Sequence, residues 1–390
     1  GTPSPQSSPL LLQYCKTVKW PWHLAKSPSP GDSKDLLDRA RDSAPGWDGT
    51  PFAAWQHGGA PAHETLDDLV DEQLNGVSPP ESYNDGVWLF PPKKSLPTDP
   101  ADGLVSRKPT ETRPITLLCT DNKVVSGVTA TACSPVTIAG TSSIQCGFVP
   151  GRQSLQNIVE LDTEARVHAL RCSDRRRSPP FDCMLPASSV SRLAVLALFD
   201  YACAFPSVFH DWIMFVLRAI GAPQGLINVV ENKYKGAEAF IDEGGNLVWL
   251  FSVARGVLQG CPLSSVLFNF AIDPLLWMFS TAVIKPGFGL IRACADDLGA
   301  AIAELQTLIT IASMFDFFSH ISGLTLQPQK CVLILTAVKA TDENVNIIRD
   351  WLRIHIPQWI NFNICNSATY LGFVIGPTAN ATQWKAPVAK

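Results

Sequence analysis

Residues 291–302 read IRACADDLGAAI and place two adjacent carboxylates, Asp296 and Asp297, in the middle of an otherwise apolar run. Burying one unpaired carboxylate is costly, and burying two neighbours is worse, because each disfavours ionisation of the other. Such a pair is tolerable at a wet surface turn or beside a strong positive charge. A third acid, Asp200, ends the apolar run SRLAVLALF at 191–199. If that run is a buried strand and the pair sits at the bend of a neighbouring hairpin, three carboxylates meet at one edge of a sheet. Hard carboxylate oxygens suit Mg²⁺, which takes a few of them together with water and substrate phosphates. Two such ions close together activate a hydroxyl and stabilise the leaving oxygen of an in-line phosphoryl displacement. A DD dipeptide by itself is an ordinary solvated turn, so this chemistry needs support from its surroundings.

The elements that must position these acids follow from periodicity. SVFHDWIMFVLRAIG carries apolar residues at helical spacing and stops at Gly221, and GLINVVENKY repeats the pattern. AEAFIDEGGNLVWLFSV reads as a hairpin turning at Gly244-Gly245. CPLSSVLFNFAIDPLLWMF is a mostly apolar helix with Pro262 in its first turn, and ELQTLITIASMFDFFSHISG is an amphipathic helix ended by Gly323. CVLILT and YLGFVIG read as later strands. Residues 1–85 are rich in Pro, Ser, Gly and Asp with little periodicity, so they are expected to form a poorly structured extension. Only DLLDRARD and HETLDDLVDEQL look helical there, and the tryptophans suggest that parts of it dock. The basic stretch RCSDRRRSPPFDCMLPASS (171–189) reads as a solvated surface loop, with contact to a nucleic-acid backbone as the alternative.

With 390 residues, 46% hydrophobic and 17% charged, the chain can bury a sizeable core. A net charge of −4 argues weakly against a nucleic-acid binder, although a local basic groove remains compatible with it. Eleven cysteines without a CxxC pair read as reduced, mostly buried thiols of an intracellular protein. His23, His57 and His63 show no metal-ligand spacing. No apolar run is judged long enough to span a bilayer, and the start LLLQYCKTVKWPW is not a convincing signal peptide. A first residue of Gly rather than Met suggests a piece of something longer.

The supporting motifs occur in order: TRPITLLCTDNKVV (112–125), QCGFVPGRQSLQNI (145–158), FDYACAF (199–205), LQGCPLSSVLFN (258–269), CADD (294–297), SGLTLQPQKC (322–331) and YLGFVIG (370–376). The series resembles the reverse transcriptase domain of non-LTR (LINE-type) retrotransposons over about residues 88–377. QGCPLSSVLFN is its most specific piece, and together with the absence of an intron-type basic domain it favours this family over telomerase or intron-maturase relatives.

The resemblance implies an α+β, right-hand polymerase fold with fingers and palm, the palm an antiparallel sheet packed on helices, and the thumb largely missing. The expected organisation is an extension at 1–85, fingers at 86–190 with the 236–253 hairpin, palm at 191–377 and a tail at 378–390. It implies an RNA-directed DNA polymerase working with two Mg²⁺ ions, or Mn²⁺, held by Asp200, Asp296 and Asp297. Lys330 matches a lysine that could protonate the departing pyrophosphate. Arg113 matches a triphosphate-gripping arginine, and Lys123 belongs to the same pattern. Phe205 falls at the position that blocks a ribose 2′-hydroxyl, and Gln259 and Gly260 lie in the loop contacting incoming nucleotide and template. Arg152 offers a template-backbone contact, and Tyr370, Leu371 and Gly372 belong to the hairpin that grips the primer end. The implied partners are an RNA template, a DNA primer and deoxynucleoside triphosphates, without a membrane, plus endonuclease and thumb regions elsewhere in a parent protein. Action on chromosomal targets would place the protein in the nucleus, not outside the cell. One departure stands out: family members usually carry an aromatic residue before ADD, and this chain has Cys294. That substitution, with the missing thumb, opens an alternative in which a decayed or domesticated copy binds nucleic acid with little polymerase activity.

Overall fold

A computed structural model of the chain describes residues 8–41, 43–97, 99–100, 105–174, 181–380 and 383. In chain order the helices are α1 (Pro9–Thr17), α2 (Asp32–Arg39), α3 (Phe52–His57), α4 (Gly59–Leu74), α5 (Thr120–Gly140), α6 (Ser154–Asp174), α7 (Ala204–Ser207), α8 (His210–Ala219), α9 (Gln224–Tyr234), α10 (Ser264–Phe279), α11 (Thr307–Ser322) and α12 (Asp342–His355). The strands are β1 (Gly86–Leu89), β2 (Ile115–Leu117), β3 (Val195–Phe199), β4 (Glu238–Glu243), β5 (Asn246–Ser252), β6 (Gly289–Cys294), β7 (Asp297–Ile302), β8 (Val332–Leu335), β9 (Asn363–Cys365), β10 (Ala368–Tyr370) and β11 (Phe373–Ile375). The mixed α and β content, with largely antiparallel sheets, agrees with the α+β expectation.

The chain divides into two compact units that interleave in sequence, one of residues 1–17, 141–207 and 271–390, the other of residues 18–140 and 208–270. The first contains a five-stranded sheet of order β6-β7-β3-β8-β9, antiparallel except for the parallel β8/β9 pair. VLALF (β3) is buried at every position, as a central strand covered on both faces must be. Its residues alternate between the faces. Leu196 and Leu198 pack with Ile158, Leu161 and Ala165 of α6, whereas Phe199 meets Phe315 of α11 and Trp359 with ring centroids 4.8 Å and 5.5 Å apart.

The second unit holds a four-stranded sheet of order β2-β1-β4-β5, with helices α2–α5, α8 and α9. Its β4–β5 hairpin turns at Gly244-Gly245, as the sequence pattern predicts. YLGFVIG, which reads as strand from its apolar pattern and as a hairpin from the family resemblance, is a hairpin: Tyr370 pairs with Phe373 across Leu371 and Gly372, both at positive φ.

Three expectations are corrected. Residues 8–85 are not a loose extension, for they form α1–α4 and bury Leu11, Tyr14, Trp20, Leu37, Leu66 and Val70. Their sparse apolar residues are spaced to fill holes in larger elements, so the segment lacks the periodicity of a self-contained helix. Trp55 Nε1 donates to Thr120 Oγ1 (2.9 Å) and Trp22 Nε1 to Ile220 O (2.9 Å), which is the docking the tryptophans suggested. The compact units also cut across the expected boundaries at 86, 191 and 236, because residues 141–174 and 181–190 belong with the sheet that carries β3 whereas 208–235 belong with the other sheet. Finally, among the described residues one helical stretch, Ser264–Ile284, is long and apolar enough to cross a membrane, but most of it is buried inside the protein, as a core helix is. The basic cluster at 175–177 and most of the 378–390 tail lie outside the described residues.

Candidate active site

Strand pairing in the first unit brings the three acids together. β3 and β7 are antiparallel, with Phe199 opposite Leu298 at the end of the ladder, so the next residues are Asp200 on one strand and Asp297 on the other. β6 and β7 form a hairpin in which Cys294 pairs with Asp297 across the two-residue bend Ala295-Asp296. Ala295 holds φ +55, a left-handed conformation that an L-residue with a Cβ adopts only when its surroundings enforce it.

The electrostatics are those of an overcharged corner. Burial raises the Asp296 carboxyl above its ordinary pKa, and the charge of Asp200 raises it further. Asp297 is pushed up to about 6, first by the protein packed around its carboxyl and then by Asp296 and Asp200, although part of the residue reaches solvent. Lys330 is the nearby counter-charge: its Nζ stands 4.0 Å from Asp200 Oδ1, and both side chains are about half exposed. The segment carrying it is tied to the end of β3, since Ala202 N donates to Thr325 O and Gln327 N to Asp200 O (both 2.8 Å). Asp200 N donates in turn to the buried Cys331 Sγ (3.3 Å).

Among the described residues, no group of three or more His, Cys, Asp or Glu side chains is arranged as a ready metal-ligand set. The donor chemistry nevertheless fits magnesium, because three hard carboxylates gather with one exposed lysine and two of them are held from ionising freely. A divalent cation would relieve that strain.

Other expected residues divide by unit. In the first, Phe205 of α7 is half-buried and meets the exposed Phe148 of the GFVPG loop edge-on, with centroids 5.8 Å apart. The Tyr370 hydroxyl donates to Asp297 O (3.1 Å), so the Leu371-Gly372 hairpin is anchored at the acids. Arg152 has another task than the template contact expected of it. Its guanidinium is half-buried and donates to Ser142 O (2.5 Å), Gln145 O (2.6 Å) and Thr141 O (2.8 Å), which braces the 141–147 loop. In the second unit, Arg113 is exposed just before β2, Thr116 N donates to Gln259 O (2.7 Å), and Gly260 at φ +118 lies against Thr116. A Cβ on Gly260 would stand 2.4 Å from Thr116 O, so only glycine fits. Lys123 departs from the nucleotide-binding pattern. It is buried on α5, donates to Ala44 O (2.8 Å) and lies over the Phe52 ring, and burial lowers its pKa.

Cys294, the departure from the family pattern, is hydrogen-bonded to Cys146, and this contact, burial and the neighbouring acids push its thiol up. Two contacts escaped the sequence reading: Cys331 beneath Asp200, and Gln145 against the hairpin bend. Both lie in stretches already singled out, but their roles depend on partners more than a hundred residues away.

Comparison with known proteins gives the class. Residues 92–375 match the family "Reverse transcriptase (RNA-dependent DNA polymerase)", and the chain belongs to it. Among individual proteins, it is 36% identical over 147 residues to the Retrovirus-related Pol polyprotein from type-2 retrotransposable element R2DM of Drosophila melanogaster, covering 37% of this chain and 14% of that protein. It is 32% identical over 149 residues to a Retrovirus-related Pol polyprotein from type-1 retrotransposable element R2 of Popillia japonica, covering 35% and 24%. A Transposon TX1 uncharacterized 149 kDa protein of Xenopus laevis is 29% identical over 164 residues, covering 42% and 11%. The matched regions thus span a quarter or less of these curated relatives, and the relationship is to reverse transcriptases of non-LTR elements.

Proposed function

We propose that this chain is the polymerase core of a non-LTR retroelement protein and extends a primer 3′-hydroxyl with deoxynucleotides copied from RNA. The observation that carries this reading is the meeting of Asp200, Asp296 and Asp297 at one end of the β3/β7 ladder, where burial and neighbouring charge raise the carboxyls of Asp296 and Asp297. Asp200, Asp296 and Asp297 would hold two Mg²⁺ ions, with Mn²⁺ as a substitute. When bound, these supply activation of the attacking hydroxyl and charge stabilisation of the leaving oxygen.

The chain's own groups have assignable parts. Lys330, an exposed lysine whose Nζ lies 4.0 Å from Asp200 Oδ1, would give a proton to the departing pyrophosphate. Phe205, braced edge-on by Phe148, excludes a 2′-hydroxyl by bulk. Tyr370 holds the backbone of Asp297, and its hairpin supports the primer end. Arg113 grips the triphosphate, for which a planar guanidinium is suited, while Gln259 and Gly260 offer backbone to nucleotide and template. In this reading the five-stranded sheet and its helices are palm and the four-stranded sheet is fingers, and the protein works in the nucleus on chromosomal targets.

The test is primer extension on an RNA template with Mg²⁺, comparing the chain with Asp296→Asn. Extension by the former and a loss of at least about a thousandfold in the latter is the expected result. A folded wild-type chain that binds primer–template and extends nothing would instead favour the second reading, a decayed copy, which Cys294 in place of an aromatic residue supports.

A further inference from the structure

The bend that carries Asp296 is held from outside its own hairpin. Gln145, fully buried in the first unit, turns its amide onto the Ala295 peptide: Ala295 N donates to Oε1 (2.7 Å), and Nε2 donates to Ala295 O (3.0 Å). The same Oε1 accepts from Gly147 N (2.7 Å). One side chain therefore satisfies both polar groups of the half-buried residue at φ +55, and an apolar replacement would take both partners away. Gly147 completes the cradle, since a Cβ there would stand 2.1 Å from Ala295 N. The platform is itself rigid. Cys146 N donates to Ala293 O (2.8 Å), Ala293 N to Ile144 O (2.9 Å), Asn157 Nδ2 to Ala293 O (2.8 Å), and Arg152 braces the loop from behind.

We propose that Gln145 is a positioning residue: by clamping the left-handed Ala295 peptide it sets the direction in which Asp296 and Asp297 present their carboxylates to a divalent cation. The proposal rests on the assignment of these acids as metal ligands. A hairpin bend with Ala at a positive φ is intrinsically disfavoured, so without the clamp it would sample bends that point Asp296 elsewhere. Gln145 touches neither substrate nor cation in this scheme; it acts through Ala295.

Gln145→Met keeps the side chain's length and removes its hydrogen bonds, and Ala295→Gly relieves the strain that the clamp opposes. Mn²⁺ binding by electron paramagnetic resonance and amide hydrogen exchange at residues 293–297 are read on both variants and the double variant, alongside primer extension. The expected result for Gln145→Met is an Mn²⁺ affinity about tenfold weaker and a kcat at least tenfold lower. The deoxynucleotide KM should stay within twofold, and faster exchange should be confined to the bend. Adding Ala295→Gly should restore a measurable part of the Mn²⁺ affinity, which a purely space-filling role for Gln145 would not predict. An unchanged Mn²⁺ affinity in Gln145→Met, or a loss that Ala295→Gly leaves untouched, overturns the proposal. Failure of the polymerase reading looks different: the wild-type chain then extends no primer, while Mn²⁺ titration and exchange still decide whether Gln145 governs the bend.

Discussion

At the scale of single residues, Arg113 and Lys123 separate what family resemblance implies from what folding requires. Both belong to the TRPITLLCTDNKVV stretch, yet one is exposed and the other buried against Phe52 and Ala44 O. Arg113→Ala should raise the deoxynucleotide KM about ten- to a hundredfold, the loss expected for charge-assisted hydrogen bonds to a phosphate. Lys123→Met should leave that KM within twofold. Its effect on stability should be about 1 kcal/mol or less, because a desolvated ammonium is removed together with its single carbonyl contact. Steady-state kinetics and urea unfolding of the two variants check both statements. The meeting of the acids was legible because Asp200 ends one apolar run and Asp296-Asp297 interrupt another, so antiparallel pairing of the two strands brings all three to one sheet edge. The burial of Lys123 was not, since a motif names a residue type and α5 decides which of its faces meets the protein. Gln145 was hidden for a similar reason: nothing local marks a glutamine whose partner is Ala295.

At the scale of elements, the runs of strong period came through. β3, the β4–β5 hairpin, α8, α9 and α11 all stand where apolar spacing and their turn residues put them. The β10–β11 hairpin was implied by the family resemblance but not by the apolar pattern, because its turn uses Leu371, a residue rarely found at positive φ, which packs against the sheet core there and so recovers part of the backbone cost. α8 also carries a pH dependence. His210 stacks on Tyr234 with ring centroids 4.0 Å apart, its Nε2 lies 2.9 Å from Gly256 O, and burial holds its pKa below the ordinary 6.5. Its position in the first turn of a helix disfavours the cation as well. An imidazole of depressed pKa binds a proton more readily in the unfolded chain. Its contribution is therefore fully present above pH 6.5 and is lost as pH falls below that value. His210→Gln, which can still donate to Gly256 O, should flatten the fall in the urea midpoint between about pH 7 and 5. His168, depressed by burial in the other unit, adds a slope of the same sign, and Asp297, raised to about 6, one of the opposite sign, in wild type and variant alike. Equal slopes in wild type and variant would remove His210 from this account.

At the scale of the whole molecule, each compact unit is assembled from segments far apart in sequence, so its boundaries could not be read from composition. Residues 8–41 and 43–85 show why. Their low periodicity signals disorder only if they must fold alone, and in the protein they fold onto partners supplied by other segments. In the first unit, Tyr14 of α1 is buried and its hydroxyl donates to Oδ2 of the buried Asp273 (2.9 Å), while its ring meets Trp277 edge-on at 5.9 Å. In the second, Trp20 sits 4.9 Å from Phe270, and Leu37, Leu66 and Val70 are buried. Each buried large apolar side chain contributes about 2 kcal/mol. Together, Leu11, Tyr14, Trp20, Leu37, Leu66 and Val70 therefore represent stabilisation of the same order as the roughly 5–15 kcal/mol that holds an ordinary domain folded. A chain shortened to residues 86–390 should accordingly lose cooperative urea unfolding and expose apolar surface to a hydrophobic dye. Tyr14→Phe isolates one contact of that segment without removing it. It leaves a buried carboxylate oxygen of Asp273 without this donor, and should lower stability by about 1–3 kcal/mol with the cooperative transition intact. A shortened chain that unfolds at the wild-type midpoint, together with a silent Tyr14→Phe, would return residues 1–85 to the status of a dispensable extension.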